Sequence, residues 1–326
     1  MENISKMELI ETLYKKGGIK DRTTPIALSQ ASRVESVERL LLEGIDFDLL
    51  FTPLPHLGYK AILATLAPLY AMGYTPLSIE ITIALSSKFS QEKIEELWMG
   101  MVEALKEHNI KESRLNLVPS LTGLTIALSS IGEQPESNFV QIPKPKEGEL
   151  LVVNGHLGAP YLGLQILLRE KRLFEETGVE PKLENYREVV GAYLKPSLES
   201  GLFEELRSKE ILPSTGYFID QGLAHAVKSL CLREGVGAKI FMDKIAIASY
   251  SSKVAEELNI SSMTAALNGG DDFRFLLSIP LSHYEKLARE FPHLDIIGHL
   301  AAPEAGETLI TPDGEELELK AQAWSK

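Results

Sequence analysis

The chain has 326 residues, of which 44% are hydrophobic and 24% are charged, so it can bury a sizeable core and is expected to form two domains. Its formal net charge of -13, with lysines and arginines scattered along the chain, excludes nucleic acid as the main partner. No apolar run approaches the roughly 20 residues that cross a bilayer, and the first residues have no signal-peptide pattern. These features predict a cytoplasmic protein without a membrane partner.

The first half of the chain alternates predicted helices and strands. Residues 7–16 have the amphipathic pattern of a helix, and residues 56–72 are almost entirely apolar, as in a buried helix. Residues 78–86 alternate in the period of a half-buried strand, and Ser90 can cap the helix that follows. A second strand is predicted at residues 124–130.

Two heptapeptides in this half are nearly identical, ITIALSS at residues 81–87 and LTIALSS at residues 124–130. They could mark a duplicated unit, but seven residues do not establish a repeat. The alternative is two neighbouring strands with the same burial.

A polar stretch with three prolines at residues 132–148 separates two regions of patterned hydrophobicity. We place a domain boundary there, with domains at residues 1–140 and 149–326. The elements predicted after it are strands at 150–153, 216–219, 238–242, 273–279 and 294–297, helices at 161–174, 223–233 and 282–291, and a hairpin around Pro312-Asp313-Gly314. Strands and helices in both halves predict α/β or α+β layers.

Cysteine and histidine do not predict a catalytic or metal site. The single cysteine, Cys231, cannot form an intramolecular disulfide, which fits a reducing compartment. No partner arrangement surrounds it, so we expect a small apolar residue on a helix. The histidines that lie at no metal-ligand spacing are His56, His108, His225, His283, His293 and His299.

Two polar motifs are candidates for chemistry. Asn268-Gly269-Gly270-Asp271-Asp272-Phe273 places a glycine pair and two acids before an apolar strand, where carboxylates can take a cation or an amine. The alternative is an ordinary polar turn. Gly155-His156-Leu157-Gly158 lies between a strand and a helix, where backbone amides could meet a phosphate, although an isolated signal of this kind is more often a tight turn.

Taken together, a series of motifs in fixed order closely resembles the thiamine-monophosphate kinase family, within the superfamily of aminoimidazole ribonucleotide synthetase. The resemblance covers nearly the whole chain, from about Gly18 to Trp324. The motifs are Glu43-Gly44-Ile45-Asp46-Phe47, Leu57-Gly58-Tyr59-Lys60, Tyr70-Ala71-Met72-Gly73, Ser120-Leu121-Thr122-Gly123-Leu124, Gly155-His156-Leu157-Gly158-Ala159, Tyr193-Leu194-Lys195-Pro196, Asp220-Gln221-Gly222-Leu223 and Asn268-Gly269-Gly270-Asp271-Asp272-Phe273.

The resemblance implies a two-domain fold of the aminoimidazole ribonucleotide synthetase type, with an N-terminal domain that forms a barrel across a homodimer and a C-terminal α/β domain. It also implies ATP and several Mg²⁺ ions in a cleft, and transfer of the γ-phosphoryl group to thiamine phosphate. In that family a cluster of aspartates holds the ions that neutralise the two polyanions.

Most of those aspartates are replaced in this chain. Where the resemblance expects acids, the chain has Arg22 beside Asp21, Arg39, Ala67-Pro68, Arg114-Leu115-Asn116, His156, and Phe218-Ile219-Asp220-Gln221-Gly222. Two acids remain in this set, Asp21 and Asp220, and Asp21 is the one that we assign to a metal. Since the other replacements cannot serve as anionic ligands, the sequence predicts that Mg²⁺ and ATP are not held as in the family.

The substrate side of the implied cleft is better preserved. Asp271 stands where the family has a glutamate near the thiamine moiety, Asp272 matches, and Asp46 replaces a histidine. Trp324 occupies a position where a terminal aromatic ring can lie against the pyrimidine.

Three hypotheses follow for the function. The first is a catalytically impaired relative, a pseudoenzyme kept as a binding or regulatory homodimer for thiamine phosphate or a nucleotide. The second is an active phosphotransferase with a different substrate, in which Arg22, Arg39 and Arg114 neutralise phosphates. The third is a structural partner whose barrel surface docks another protein.

Overall fold

The computed structural model describes residues 6–21, 26, 32–135 and 144–321. The chain divides into two compact units, Met1–Val140 and Gln141–Lys326. Both units are mixed α/β, as the sequence predicts. In the described part of the chain, no helix is long and apolar enough to cross a membrane.

The N-terminal unit is a five-stranded sheet with helices against one face. Its elements are α1 (Lys6–Gly17), β1 (Lys20–Asp21), β2 (Ser32–Leu42), α2 (Leu54–Ala71), β3 (Thr75–Leu85), α3 (Gln91–Glu107), β4 (Glu112–Pro119) and β5 (Thr125–Pro135). The strand order is β1-β4-β3-β5-β2, so the eleven-residue β2 lies at an edge. Strand β3 pairs parallel with β4 and antiparallel with β5.

The predicted helices and strands of this unit are confirmed within a few residues. Ser90 caps α3, since its hydroxyl accepts a hydrogen bond from the amide of Lys93 at 3.4 Å. The two similar heptapeptides lie on β3 and β5, which are antiparallel neighbours with Ile83 opposite Ile126. This favours two strands with the same burial over a duplicated unit.

Packing between α2 and α3 depends on a backbone contact. A Cβ atom added at Gly58 would lie 2.2 Å from the carbonyl oxygen of Leu97, so only glycine permits this distance between the helices. Trp98 is fully buried beneath α1 and donates its indole N–H to the carbonyl of Leu13 at 2.7 Å. These contacts join the three helices into one layer.

The C-terminal unit is a seven-stranded sheet in the order β12-β11-β8-β10-β6-β9-β7. Its strands are β6 (Leu150–Val153), β7 (Thr215–Ile219), β8 (Gly237–Phe241), β9 (Arg274–Ile279), β10 (Asp295–Ala301), β11 (Glu307–Ile310) and β12 (Glu316–Glu318). Its helices are α4 (Ala159–Thr177), α5 (Arg187–Leu194), α6 (Leu202–Ser208), α7 (Leu223–Glu234), α8 (Ser249–Glu257), α9 (Ser262–Asn268) and α10 (Tyr284–Glu290).

Strand β6 belongs to the core of this unit, and all four of its residues are buried. It pairs antiparallel with β10 and β9, which explains its short, continuous apolar sequence. The hairpin predicted around Pro312-Asp313-Gly314 is confirmed by the antiparallel pair β11 and β12. Cys231 is buried on α7, and burial raises the pKa of its thiol to about 12, so the expected apolar role is confirmed.

Three features differ from the sequence-based prediction. Residues 132–135, which the sequence assigns to the linker, continue β5 and pair with β2 and β3. Strands β1, β2 and β4 and helices α5, α6, α8 and α9 are absent from the prediction. The helix predicted at residues 282–291 begins as a single 3₁₀ turn, Leu281–His283, before α10.

Candidate functional site

Three loops of the C-terminal unit lie together at one end of neighbouring strands in its sheet. They are residues 154–158 after β6, residues 220–222 after β7 and residues 268–273 before β9. Because β9 runs antiparallel to both β6 and β7, the ends of the first two strands and the start of the third lie together. The sequence motifs around His156, Asp220 and Asp271 are thereby brought to one place, which we call the three-loop cluster.

Backbone contacts hold the three-loop cluster together. The amide of Asp271 donates to the carbonyl of Asp220 at 2.6 Å. Gly222 has φ +89°, and a Cβ there would lie 2.5 Å from the carbonyl oxygen of Leu267. Only glycine allows this turn and this approach, which accounts for the Asp220-Gln221-Gly222 motif.

Asp272 is an internal residue of the cluster. Only 3% of its surface is exposed, and its Oδ1 accepts a hydrogen bond from the amide of Gly158 at 2.6 Å. Its Oδ2 has no hydrogen-bond partner among the described residues. Burial raises the pKa of the Asp272 carboxyl to about 8, and the Gly158 amide only partly opposes this effect. In this structure Asp272 is therefore a buried residue with a backbone partner, and its expected contact with a substrate stays a prediction.

The same bond favours a tight turn over a phosphate site at the start of α4. The amide of Gly158 is occupied by Asp272, and the amide of Leu157 donates to the carbonyl of Ala246 at 3.0 Å. Pro160 has no amide hydrogen to offer. Gly155-His156-Leu157-Gly158 is therefore a tight turn whose Leu157 and Gly158 amides are already bonded.

Asp271 and Phe273 adopt backbone conformations that are uncommon outside glycine, with φ +60° and φ +53°. Phe273 is buried and packs edge-to-face against Phe218, with ring centroids 5.4 Å apart. The packing against Phe218 holds Phe273 in this conformation, and the hydrogen bond to the carbonyl of Asp220 holds Asp271. Strained backbone of this kind is concentrated at functional sites, where the surrounding structure holds it in place.

The side chains of the cluster differ in their access to solvent. His156 and Gln221 are exposed, whereas Asp220 and Asp271 are half-buried. Burial raises the pKa of the Asp295 carboxyl, and the nearby His156 only partly opposes this effect. The accessible side of the cluster thus offers an imidazole, an amide and two carboxylates to a ligand.

Two further residues complete the cluster and were missed by the sequence analysis. The Asn154 side chain accepts from the amide of Phe275 at 2.5 Å and donates to Glu199 at 3.0 Å. Arg274 donates to the carbonyl of Ser197 at 3.1 Å. The segment after Lys195-Pro196 is thus attached to the cluster, a contact that no local sequence signal indicates.

The N-terminal unit separates the other candidate residues onto two faces of its sheet. Arg39 lies on the face covered by α2, where its Nη2 donates to the carbonyl of Ala64 at 3.4 Å. Asn116 lies opposite Thr82, in the neighbouring row of side chains, and therefore points to the face opposite α2. Arg114 shares that face and lies 4.0 Å from Glu80. The structure does not bring Arg39 together with Asn116.

The remaining candidates have structural roles or lie outside the described residues. Asp46 is exposed, and its Oδ2 accepts from the amide of Leu42 at 2.7 Å, which closes the turn after β2. Asp21 forms part of β1 opposite Ser113, and its side chain is outside the description. Arg22 and Trp324 also lie outside the described residues.

The donor set does not fit a centre with several Mg²⁺ ions. Such ions need clustered carboxylate oxygens, but the described residues contain no group of three or more histidine, cysteine, aspartate or glutamate side chains that could hold a metal. Asp272 is internal, and Arg39 brings a positive charge.

Comparison with known proteins identifies the class. The family described as AIR synthase related protein, N-terminal domain, matches residues 36–133 of this chain. The thiamine-monophosphate kinase of Synechococcus elongatus is 27% identical over 244 residues, covering 74% of this chain and 70% of that protein. The solved structure of AaThiL complexed with AMPPCP and TMP has a TM-score of 0.74 and 22% identity, covering 98% of this chain and 97% of that one. Escherichia coli HypE, a hydrogenase maturation protein, has a TM-score of 0.71 and 17% identity, covering 98% and 99% of the two chains.

The sheets, the motif order and these likenesses define an AIR synthase-like α/β fold. Within that class, the chain is similar to the thiamine-monophosphate kinase and AIR synthase-like family along most of its length.

Proposed function

We propose that the chain is a thiamine-monophosphate kinase-like protein that binds a ligand of that family but transfers phosphate slowly or not at all. It acts in the cytoplasm as a binding or regulatory homodimer. The observation that carries this proposal is the loss of carboxylates where the resemblance expects them, most clearly at Arg39 and Pro68. Thiamine phosphate or a nucleotide is the ligand class, by analogy with the TMP and AMPPCP named for AaThiL.

The physical reason is electrostatic. Transfer between ATP and thiamine phosphate brings two polyanions together, and Mg²⁺ ions held by carboxylates normally neutralise them. At about 4 Å and an effective dielectric of about 20, two unit charges interact by about 4 kcal/mol, so replacing an aspartate with an arginine reverses an attraction of that size. Several such replacements raise the barrier beyond what positioning alone can lower.

A turnover assay tests the proposal directly. The purified chain is incubated with ATP, Mg²⁺ and thiamine phosphate, and thiamine diphosphate is quantified beside an active thiamine-monophosphate kinase. We expect turnover far below the roughly 1 per second or more of ordinary enzymes. Turnover at the rate of the active kinase would refute the proposed impairment.

Ligand binding is tested separately by thermal shift with ATP, ADP, thiamine and thiamine phosphate, each with and without Mg²⁺. A ligand at 100 times its Kd adds about 2.7 kcal/mol of apparent stability. We expect at least one of these ligands to stabilise the chain, with little dependence on Mg²⁺. If none does, the chain is not a binding protein for this class.

The alternative of an active phosphotransferase that neutralises phosphates with arginines has less support. Arg39 and Arg114 lie on opposite faces of the N-terminal sheet, and each contacts the protein itself. A phosphate group cannot contact both guanidinium groups in this arrangement. Nucleotide binding that survives EDTA and is lost in Arg114→Ala would restore this alternative.

We propose that the homodimer forms through the face of the N-terminal sheet opposite α2. Val34 and Leu40 of β2 are 44% and 55% exposed there. A row across the same face runs Glu38, Ser129, Glu80 and Arg114. A two-fold axis would place Arg114 of one copy near Glu38 of the other, so the row is self-complementary. Capture of a stable heteromer in place of the homodimer would favour the docking hypothesis.

A further inference from the structure

The most informative departure from the family pattern is the contact of Arg39 with α2. Strand β2 contributes Arg39 to a row that continues through Leu128, Ile81 and Leu115 in the neighbouring strands. These three side chains are buried beneath the helices. Arg39 is the one polar side chain among these four residues, and its guanidinium donates a hydrogen bond to the carbonyl of Ala64.

The carbonyl of Ala64 needs this contact because of a proline in α2. In an α-helix the carbonyl of residue 64 accepts from the amide of residue 68. Residue 68 is Pro68, which lies inside α2 and has no amide hydrogen. Arg39 Nη2 therefore supplies the hydrogen bond that Pro68 cannot supply.

Both residues stand where the resemblance expects aspartates. One replacement exposes a carbonyl oxygen, and the other provides a cation that bonds it, so the two are chemically complementary. We propose that Arg39 and Pro68 form one structural unit, in which the guanidinium of Arg39 supplies a fixed positive charge in place of a cation that aspartates at these two positions would bind. A divalent ion at this place would meet a positive charge and only one carbonyl oxygen.

This inference is independent of ligand binding. It concerns how the N-terminal unit is stabilised and why it does not load metal, so it can fail while the proposed function holds. The reverse is also true, since a chain with an intact Arg39 and Pro68 unit could still bind no thiamine compound.

A double-mutant cycle with Arg39→Met and Pro68→Ala tests the structural unit. Methionine keeps an apolar stem but donates no hydrogen bond, and alanine in place of Pro68 restores the helical amide. We expect Arg39→Met to lower the folding equilibrium constant about tenfold in the wild-type chain and less than threefold in the Pro68→Ala chain, as measured by urea unfolding. The difference is the signature of coupling between the two positions.

Arg33→Met is the matched control, because Arg33 is an exposed arginine on the same strand. Its effect is expected to be equal in both backgrounds. If the effects of Arg39→Met and Pro68→Ala are additive, Arg39 does not serve the carbonyl that Pro68 leaves unbonded, and the structural unit is refuted.

The proposed effect on metal binding is tested by restoring the two acids with Arg39→Asp and Pro68→Asp. Electron paramagnetic resonance of added Mn²⁺ reports metal bound to the folded protein, without any assay of activity. We expect the restored variant to bind Mn²⁺ at concentrations where the wild-type chain and Arg39→Gln bind at least tenfold less. Equal Mn²⁺ binding by all three proteins would contradict the proposal that Arg39 and Pro68 prevent metal binding. So would a restored variant that has the circular dichroism spectrum of the folded chain but binds no Mn²⁺.

Discussion

Asp272 shows how a residue that matches a binding motif can be structural. Its carboxyl lies within the three-loop cluster and accepts the Gly158 amide, and burial raises its pKa from 3.8 to about 8. A group whose pKa is raised on folding stabilises the protein fully below its unfolded pKa. This contribution is lost as the pH rises toward the folded pKa. Stability should therefore fall between about pH 4 and pH 8 on account of Asp272.

Asp272→Asn tests this behaviour, because asparagine can accept the Gly158 hydrogen bond without titrating. We expect the free energy of unfolding of the wild-type chain, relative to the variant, to fall by up to about 1.4 kcal/mol per pH unit between pH 5 and pH 8. Urea unfolding at several pH values measures the difference. Parallel pH profiles for the two proteins would mean that Asp272 is ionised throughout.

The difference between the two proteins is the useful quantity because other groups titrate in the same range. Burial lowers the pKa of His108, whose contribution is present above its unfolded pKa and lost as the pH falls. That effect has the opposite sign and cancels in the comparison. Asp243→Asn, at an exposed aspartate, controls for the loss of one negative charge.

At the level of elements, the packing of α2 on α3 depends on Gly58. Gly58→Ala would place a methyl group 2.2 Å from the carbonyl of Leu97, so the helices must separate. We expect a loss of about 1–3 kcal/mol in the free energy of unfolding, as for overpacked cores. Thermal or urea unfolding with near-ultraviolet circular dichroism of Trp98 provides the measurement.

Gly191→Ala is the matched control for this prediction. Gly191 lies inside α5, and a Cβ there would meet no atom within 4 Å. Alanine favours the helix over glycine by about 1 kcal/mol, so this variant should be slightly more stable than the wild-type chain. Equal effects at both glycines would show that helix propensity, and not the close contact, decides the outcome.

Elements with a clear hydrophobic period could be predicted from the sequence, whereas β2 could not. Its apolar residues Val34, Val37 and Leu40 are spaced by three, which favours a helix over a strand. At the sheet edge, Val34 and Leu40 are exposed while Val37 points the other way, so burial does not enforce strict alternation. The strand forms because β5 pairs with it over eleven residues.

The candidate site could be predicted as a set of motifs but not as a set of roles. The order of the motifs indicates the family and the three loops that meet. It does not reveal that Asp272 points inward, or that Arg39 bonds a carbonyl freed by Pro68. Those roles depend on contacts between segments far apart in the sequence, which local patterns do not encode.

At the scale of the whole molecule, much of the family likeness is carried by scaffold contacts. Glu43 accepts from the amide of Leu124 at 2.6 Å, so it joins two of the shared motifs directly. Gly58 and Gly222 permit close backbone approach. Such positions must be kept for folding whatever the chain binds, whereas positions such as 39 and 156 can diverge. A chain can therefore belong to the family by fold and differ in chemistry.

The proposed homodimer gives the last prediction. Leu40 is an apolar side chain on the face of the N-terminal sheet opposite α2, in the row next to Glu38 and Glu80. Leu40→Glu adds a third acid to each copy, and the repulsion is doubled across a two-fold interface. We expect the dimer Kd, measured by sedimentation velocity, to rise at least tenfold, about 1.4 kcal/mol.

Leu232→Glu provides the control, since Leu232 is 86% exposed on α7 in the other unit. It should leave the sedimentation coefficient of the dimer unchanged, because its new charge lies outside the proposed interface. A wild-type chain that sediments as a monomer at all concentrations would refute the homodimer. A dimer that tolerates Leu40→Glu would show that the copies meet through a different surface, because burying the added carboxylate of each copy beside the existing acids of this face would carry a large desolvation cost.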